Sequence, residues 1–377
     1  MAVRKRYILM AGVIAVLAVL AVIVLLIVLL LFAWVQLTTA PTIEFKRSDS
    51  QQAKVEKTEA WLEKLHQSGN FNGFILAIKD DEVLISNCWG YTDASRTRKL
   101  TPQSSMRLAS VSKQFTAAAI LVLAEQGKIG IDDPVASRLD GFPFEDVTIR
   151  HLLNMSSGLP DCYMELAEKH RDKVGECLTN SDVTKLIIAY PPTRSAPVNA
   201  EHSYSNTSYV LLAGIVESVS GISFEQFLTD EIFDPLGMKN SRVWNLVSEI
   251  EPGLEQAKSF LVNENQSPDF LDGVAGDGAV FCSLEDFEIW NQFWRGNELV
   301  SEELMKQAFV QPTLANGSKS DYGFGWVIQG DGHWHNGAWL GARTFTHQDD
   351  DFYLVVVDNS SSLIIDSMGA ELIRALD

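Results

Sequence analysis

The sequence predicts an α/β (α+β) fold in which one antiparallel sheet is built from both ends of the chain and is flanked by helices. Three observations predict it. β-Forming segments lie near both ends, the stretch over roughly 125–310 has mainly helical spacing, and a long apolar run comes first. Strands at both ends with helices between them favour a single sheet beside a mainly helical lobe, preceded by one N-terminal transmembrane helix.

The N-terminal apolar run is the first element. Residues 7–35 contain no charged side chain, and a bilayer core requires only about 20 apolar residues in a helix. A cleavable signal has a shorter apolar stretch, of about 7–15 residues, followed by small residues at the cleavage site. The sequence therefore predicts an uncleaved transmembrane signal anchor over 7–35.

A basic tail precedes the anchor. Residues 1–6 contain Arg4, Lys5 and Arg6 and no acidic residue. Because the positive-inside rule keeps such a tail in the cytoplasm, we expect everything beyond the anchor to lie on the outer side of the membrane.

The folded domain is predicted over 51–377, behind a polar linker over 36–50. Apolar residues at helical spacing predict a helix over Gln51–Gln67. Two β-rich segments that meet at Asp80 and Asp81 predict a hairpin. The predicted strands are Asn72–Asp80, Glu82–Trp89, Tyr322–Gln329, Trp334–His335, Arg343–His347 and Phe352–Asp358, and an amphipathic helix over Leu363–Leu376 ends the chain.

Charge and cysteine content exclude some classes of partner. The net charge is −19, and so acidic a protein repels phosphate backbones, so nucleic acid is not an expected partner. The four cysteines form neither a CxxC pair nor a Cys/His cluster with zinc spacing, so no metal site is expected. Cys162 and Cys177 flank a short segment, and they could form a disulfide in an oxidising compartment or remain free thiols.

The most informative motif is an S-x-x-K sequence formed by Ser110, Val111, Ser112 and Lys113. A helix starting at Ser110 would put the Lys113 amine within reach of the Ser110 hydroxyl. A serine is a weak nucleophile until a base takes its proton, and a desolvated lysine can be that base. Ser112 competes as the nucleophile, but the residue three positions after it is Phe115.

Two further motifs lie downstream in the chain. Tyr204 and Asn206 form a Y-x-N just before a helical stretch, and His335 and Gly337 form an H-x-G on a predicted strand. Taken alone, Tyr204 would more often be a packing residue and His335 a core or surface histidine, because single residue types say little without geometry.

Together, the three motifs in this order resemble the serine β-lactamase and penicillin-binding-protein superfamily. The flanking sequence is similar to its class C β-lactamase-related branch, in the variant that carries H-x-G. Matching segments include Phe71–Phe74, Leu123–Pro134, Thr148–Leu153, Ser157–Asp161, Gly276–Ala279 and Tyr322–Trp326. The resemblance covers most of the chain after the linker and implies a β-lactamase/transpeptidase-like fold.

The resemblance implies roles for the three motif side chains that move protons. Ser110 would attack a carbonyl carbon and form an acyl-enzyme, and Lys113 would accept its proton. Tyr204 would carry a proton to the leaving group.

Four more positions would bind the substrate. Asn206 would orient Lys113 and bind a substrate amide, and the N–H groups of Ser110 and Ala338 would form the oxyanion hole. Gly337 would let the substrate approach the strand closely, and His335 stands where many relatives have lysine. The resemblance implies no cofactor and no metal.

The expected function is that of a serine hydrolase, anchored in the bacterial inner (cytoplasmic) membrane, with its catalytic domain on the periplasmic or extracellular side. Its substrate would be a small D-amino-acyl peptide, amide or ester. Two alternatives remain open, a penicillin-binding or sensor protein without turnover and a genuine β-lactamase. His335 argues against the β-lactamase, because a neutral histidine grips a substrate carboxylate less strongly than lysine does.

One segment departs from the family pattern. Met155, Ser156, Ser157 and Gly158 stand where the family usually has His-Thr-Ser-Gly, and the sequence alone predicts no consequence of this change.

Overall fold

The computed structural model describes residues 20, 22–31, 34–248, 254–296 and 298–377. It divides into a unit over Met1–Thr42 and a compact unit over Ile43–Asp377. The predicted basic tail, and part of the predicted anchor over 7–35, lie outside the described residues. Within the anchor and just after it, residues 22–31 and 34–38 are helical.

Among the described residues, no single helix is both long and apolar enough to cross a membrane. Two consecutive helical segments, Asn206–Ser220 and Phe224–Leu236, together have the length and composition of a membrane span, but the chain bends by 79° between them.

The compact unit is built around a six-stranded sheet, whose strands are β1 (Gly73–Lys79), β2 (Glu82–Trp89), β8 (Val327–Gln329), β9 (Gly332–Trp339), β10 (Ala342–Gln348) and β11 (Phe352–Asp358). The strand order is β2-β1-β11-β10-β9-β8. All of its neighbouring strands are antiparallel. N-terminal β1 pairs with C-terminal β11 from Gly73 opposite Asp358 to Lys79 opposite Phe352. The predicted antiparallel sheet assembled from both ends of the chain is therefore confirmed.

The central strands are covered on both faces. Phe74 and Leu76 of β1, with Val355 and Val357 of β11, face the main hydrophobic core, and the residues between them point to the opposite face. Phe74 packs against Phe287 of the helix Leu284–Arg295, with ring centroids 6.0 Å apart. The first and last helices of the compact unit pack against each other and cover the sheet.

Most helices of the compact unit lie between β2 and β8 in the chain, one precedes β1 and one follows β11. The helices are α1 (Gln51–Gln67), α2 (Lys113–Glu125), α3 (Ile149–Leu153), α4 (Tyr163–Lys169), α5 (Asn180–Ala189), α6 (Asn206–Ser220), α7 (Phe224–Leu228), α8 (Asp234–Leu236), α9 (Leu284–Arg295), α10 (Glu302–Gln307) and α11 (Ile365–Leu376). Most of them lie in the stretch where the sequence predicts a mainly helical lobe.

Small strands add two minor sheets that the sequence did not predict. A three-stranded sheet has the order β3-β7-β4, and β5 pairs with β6. These strands are two or three residues long, which is too short for a period-two pattern to be recognised. They are β3 (Met106–Arg107), β4 (Arg242–Val243), β5 (Phe260–Leu261), β6 (Glu264–Asn265) and β7 (Val280–Cys282).

The cysteines at 162 and 177 do not form the disulfide that the sequence allowed. All four cysteines carry free thiols. Separate elements hold the two residues. The backbone N–H of Cys162 donates to Thr207 Oγ1 at 2.8 Å, whereas Cys177 packs beside Gly273.

Candidate active site

Ser110 lies in a 3₁₀ turn over Ala109–Ser112, and α2 begins only at Lys113. This corrects the prediction that an α-helix starts at Ser110. In a 3₁₀ turn the side chains at i and i+3 eclipse each other, so the lysine still lies over the serine. Lys113 Nζ is 3.2 Å from Ser110 Oγ. Because α2 is buried along almost its whole length, the Lys113 side chain is completely shielded from solvent.

Strand β9 runs against the turn that carries Ser110. A β-carbon added to Gly337 would stand 2.6 Å from the Leu108 carbonyl oxygen and 2.9 Å from the Ser110 nitrogen. Only glycine permits so close an approach of two backbones. Thr344 of β10 donates its hydroxyl to the same Leu108 carbonyl at 2.8 Å and fixes the turn to the sheet.

One edge of β9 is open beside Ser110. β9 pairs with β10 as far as Trp339, but it pairs with β8 only as far as Trp334. In the described part of the chain, no strand pairs with this edge of β9 beyond Trp334, and the serine turn lies next to β9. An extended substrate could therefore bind along this edge.

The Lys113 amine has three oxygen neighbours. Besides Ser110 Oγ, it lies 2.8 Å from Asn206 Oδ1 and 2.8 Å from the Asp277 carbonyl oxygen. A neutral amine has two N–H donors and one lone pair. In the ammonium form Nζ donates to all three oxygens; when the amine is neutral, the Asn206 and Asp277 oxygens can accept its two N–H groups, which leaves its lone pair facing the serine hydroxyl. This geometry suits proton transfer from Ser110 to Lys113.

Asn206 is held in one orientation at the start of α6. Its Nδ2 group donates to Asp161 Oδ2 at 3.0 Å, which leaves Oδ1 facing Lys113. Asp161 Oδ1 also accepts from the Thr207 backbone N–H at 2.9 Å. A carboxylate at a helix N-terminus is electrostatically favourable. Sequence reasoning missed this role of Asp161, although the residue lies in a segment that resembles the family.

Met155 supports the segment that leads into α6. Its carbonyl oxygen accepts from the Ser203 N–H at 2.9 Å, and its sulfur accepts from the Ser205 N–H at 3.4 Å. Met155 thus contacts the backbone on both sides of Tyr204, which gives it a structural role where the family usually has histidine.

Tyr204 lies over the lysine at the mouth of the site. Lys113 Nζ is 5.1 Å from the centroid of the Tyr204 ring, and the His335 ring centroid is 6.2 Å from it. The Tyr204 side chain is 40% exposed, so it is open to a bound substrate. The structure therefore brings Tyr204 and His335 to the lysine that contacts Ser110 and Asn206.

His335 is buried and neutral. Burial, followed by the nearby charge of Lys113, lowers the pKa of His335 to about 3. Its Nδ1 lies 2.6 Å from the Asn336 carbonyl oxygen and its Nε2 lies 2.9 Å from the Tyr322 hydroxyl. In the neutral ring, Nδ1–H therefore donates to Asn336 and Nε2 accepts from Tyr322. Both ring nitrogens are therefore hydrogen-bonded to protein groups.

Tyr322 is a neighbour that sequence reasoning missed. Its ring centroid is 6.0 Å from that of Tyr204, and the two rings meet edge to face. Burial raises the pKa of the Tyr322 hydroxyl, so the group remains a hydrogen-bond donor. His335 thus holds Tyr322 in place beside Tyr204.

Ser112 is not placed to act as the nucleophile. Its side chain is fully buried, and its Oγ accepts from the Val280 backbone N–H at 3.1 Å. Ser110, by contrast, is partly exposed and lines the cleft. Between the two serines of the motif, the structure favours Ser110.

Asp277 is a second site residue that the motifs did not single out. Its carbonyl oxygen binds Lys113, and its side chain accepts from the Tyr163 hydroxyl at 2.9 Å. Burial raises the pKa of the Asp277 carboxyl, and the charge of Lys113 opposes that rise.

A cleft lies beside Ser110. Asn206 and Ala338 line it together with Ser110, so the proposed oxyanion and amide-binding positions face the same space. Arg107, Asp272 and Trp339 also line it.

The family model described as Beta-lactamase matches residues 58–365 of the chain. Three known proteins are also informative. Penicillin-binding protein 4* of Bacillus subtilis is 35% identical over 312 residues, which are 78% of this chain and 69% of that protein. A D-aminopeptidase of Brucella anthropi is 28% identical over 281 residues, and the match covers 72% of this chain but only 52% of that protein. The octameric penicillin-binding protein homologue from Pyrococcus abyssi superimposes with a TM-score of 0.71 at 26% identity, over 85% of this chain and 77% of that one.

Proposed function

Because this chain belongs to the β-lactamase family and is a serine hydrolase, we propose that it hydrolyses amide or ester bonds of D-amino-acyl compounds through an acyl-enzyme on Ser110. One observation carries the proposal: the Lys113 amine contacts Ser110 Oγ while Asn206 and the Asp277 carbonyl occupy its other positions. The D-amino-acyl substrate class is supported by the similarity to a D-aminopeptidase.

Acylation uses this geometry directly. Ser110 Oγ attacks the substrate carbonyl carbon while its proton moves to Lys113 Nζ. The N–H groups of Ser110 and Ala338 stabilise the oxyanion that forms. As the C–N or C–O bond breaks, the proton passes through the Tyr204 hydroxyl to the leaving group.

Deacylation reverses the proton path. A water molecule attacks the acyl-enzyme carbonyl carbon, and its proton passes to Lys113, either directly or through the Tyr204 hydroxyl, which hands its own proton on to Lys113. The ester bond to Ser110 breaks, and the serine oxygen recovers its proton from Lys113. The free acid then leaves, and the enzyme returns to its starting state.

The two alternative functions differ from this one in substrate or in the fate of the acyl-enzyme. A genuine β-lactamase is disfavoured, because His335 is neutral and both of its ring nitrogens are already hydrogen-bonded. A lysine at this position would offer a cation to the substrate carboxylate, which this imidazole does not. A sensor protein would acylate in the same way but would not release the product.

A substrate panel tests the proposal. The full chain is assayed with D-alanyl-D-alanine peptides, D-amino acid amides, short acyl esters and a chromogenic cephalosporin. We expect turnover of at least one D-amino-acyl compound, with kcat/KM well above that for the cephalosporin. The opposite ranking would support the β-lactamase, and a stable acyl adduct without product would support the sensor.

We also propose that residues 7–35 anchor the enzyme in the bacterial cytoplasmic membrane, with the catalytic unit on the outer side. The uncharged run and the basic residues before it support this arrangement. In intact spheroplasts, external protease should digest the catalytic unit. Complete protection of the catalytic unit would contradict the proposed orientation.

A further inference from the structure

Arg107 is a buried cation in the wall of the cleft. It ends β3, three residues before Ser110, and it is only 7% exposed. Its guanidinium carbon lies 5.0 Å from the Phe281 ring centroid and 5.8 Å from that of Trp244. The two rings hold the planar group in position, so it is preorganised for a ligand.

The guanidinium group lacks a hydrogen-bond acceptor among the described residues. Asp272 is its ion-pair partner, but Asp272 Oδ1 lies 3.9 Å from Arg107 Nη1, which is beyond hydrogen-bond distance. The two Asp272 oxygens already accept from Trp339 Nε1 at 2.6 Å and from the Asp269 N–H at 2.9 Å. Guanidinium has five N–H donors, so Arg107, which lines the cleft, can donate to a ligand bound there.

The position of Arg107 relative to the proton path identifies the half of the substrate that it faces. Tyr204, which would protonate the leaving group, lies beside His335 near one end of the open edge of β9. Arg107 lines the cleft with Trp339, at the other end of that edge. A substrate whose leaving group lies at Tyr204 therefore extends its acyl group toward Arg107.

We propose that Arg107 binds a carboxylate on the acyl half of the substrate, so that the enzyme prefers acidic D-acyl groups such as D-glutamyl or D-aspartyl. The planar guanidinium can donate two parallel hydrogen bonds to a carboxylate. Asp272 pairs with Arg107 at 3.9 Å but accepts no hydrogen bond from it, because its oxygens accept from Trp339 and from the Asp269 backbone. This inference rests on the proposed function, since it specifies the substrate of the Ser110 site.

Matched substrates test the inference. D-Glutamyl and D-glutaminyl p-nitroanilides share a leaving group and nearly the same shape, and D-aspartyl and D-asparaginyl p-nitroanilides form a shorter pair. We expect wild-type kcat/KM to be about tenfold or more higher for the acidic member of at least one pair, as a charge-assisted hydrogen bond implies.

Substitutions of Arg107 distinguish recognition of the substrate charge from a purely structural role of this side chain. In Arg107→Gln, the ratio of kcat/KM for the acidic substrate to kcat/KM for the matched amide should fall about tenfold or more. Arg107→Lys should recover part of the preference. Arg194→Gln is the matched control, because Arg194 also lies over a ring, that of Phe144, and pairs with Asp146, but it does not line the cleft. Arg194→Gln should leave the preference unchanged.

The outcomes distinguish the inference from the proposed function. Equal wild-type kcat/KM values within both pairs would overturn the inference and leave the proposed function standing. No turnover of any substrate together with no labelling of Ser110 by a fluorophosphonate would overturn both. If Arg107→Gln does not fold, the wild-type preference and the Arg107→Lys values still decide the matter. A preference that Arg107→Lys and Arg107→Gln both retain in full would also overturn the inference.

Discussion

The Nζ atom of Lys113 lies 2.8 Å from Oδ1 of Asn206, although the two residues are 93 positions apart in the sequence. This contact joins the helix after the nucleophile to the helix after Tyr204. Asp161 holds the other end of the Asn206 amide. The orientation of the base therefore depends on a chain of hydrogen bonds that reaches beyond the reacting atoms.

Asn206→Ala should remove the acceptor that directs the Lys113 lone pair at Ser110. We expect kcat/KM to fall about a hundredfold, the size of a general-base contribution, with little change in the unfolding midpoint. Steady-state kinetics on a D-amino acid amide measure the effect. The control is Asn70→Ala, because Asn70 is exposed and, in the described part of the chain, its side chain hydrogen-bonds only to Ser68. Near-normal kcat/KM in Asn206→Ala would argue against this role.

Gly337→Ala should separate β9 from the serine turn. The added carbon would stand 2.4 Å from Thr344 Oγ1 as well as close to the Ser110 nitrogen. We expect a free energy of unfolding lower by about 1–3 kcal/mol, as for other overpacked sites, and a kcat/KM lower by about tenfold or more. Denaturant unfolding and kinetics measure the two effects.

Gly175→Ala is the matched control for this substitution. A β-carbon at Gly175 meets nothing within 4 Å, and the residue has no positive φ angle. A Gly337→Ala protein that behaved like Gly175→Ala would show that the close approach has no functional consequence.

His335 should make the free energy of unfolding depend on pH. Its pKa is about 3 in the folded protein against an ordinary value of 6.5, so the unfolded chain binds an extra proton between these limits. Neutral His335 makes its full contribution to the free energy of unfolding above pH 6.5. As the pH falls from 6.5 toward 3, this contribution decreases by about 1.4 kcal/mol per pH unit. His335→Gln removes this proton uptake.

Denaturant unfolding of wild type and His335→Gln at several pH values measures that difference. Asp358 acts in the opposite sense, because burial raises its pKa to about 6 and the folded state then binds the extra proton. Both proteins contain Asp358, so the difference between them isolates His335. The stability advantage of wild type should shrink as the pH falls from about 7 to about 4. A constant difference would show that His335 is not held neutral.

Local patterns in the sequence were enough to predict much of the fold. The hairpin at Asp80 and Asp81 was predicted because two β-rich segments flank a pair of acidic turn residues, and both aspartates have the positive φ that such a turn requires. β11 was predicted with its observed bounds. The extent of β9 was not, because Asn336 and Gly337 are poor β-formers and only pairing with β10 keeps them extended.

The three motifs identified the side chains around Lys113, but they did not identify the residues that hold those side chains in place. The roles of Asp161, Asp277 and Tyr322 come from contacts between distant segments, which spacing along one segment cannot reveal. Burial also decided two questions that the sequence left open. It separated Ser110 from Ser112, and it showed that His335 is a neutral residue that holds Tyr322.

Covalent labelling tests the central claim most directly. The full-length wild type, Ser110→Ala and Ser112→Ala are treated with a fluorophosphonate, and intact mass and peptide mapping locate the adduct. A single adduct on Ser110 is expected in wild type and in folded Ser112→Ala, and none in Ser110→Ala. Labelling of Ser110→Ala at the wild-type rate, or an adduct mapped to another residue of the wild type, would contradict the assignment of Ser110 as the nucleophile.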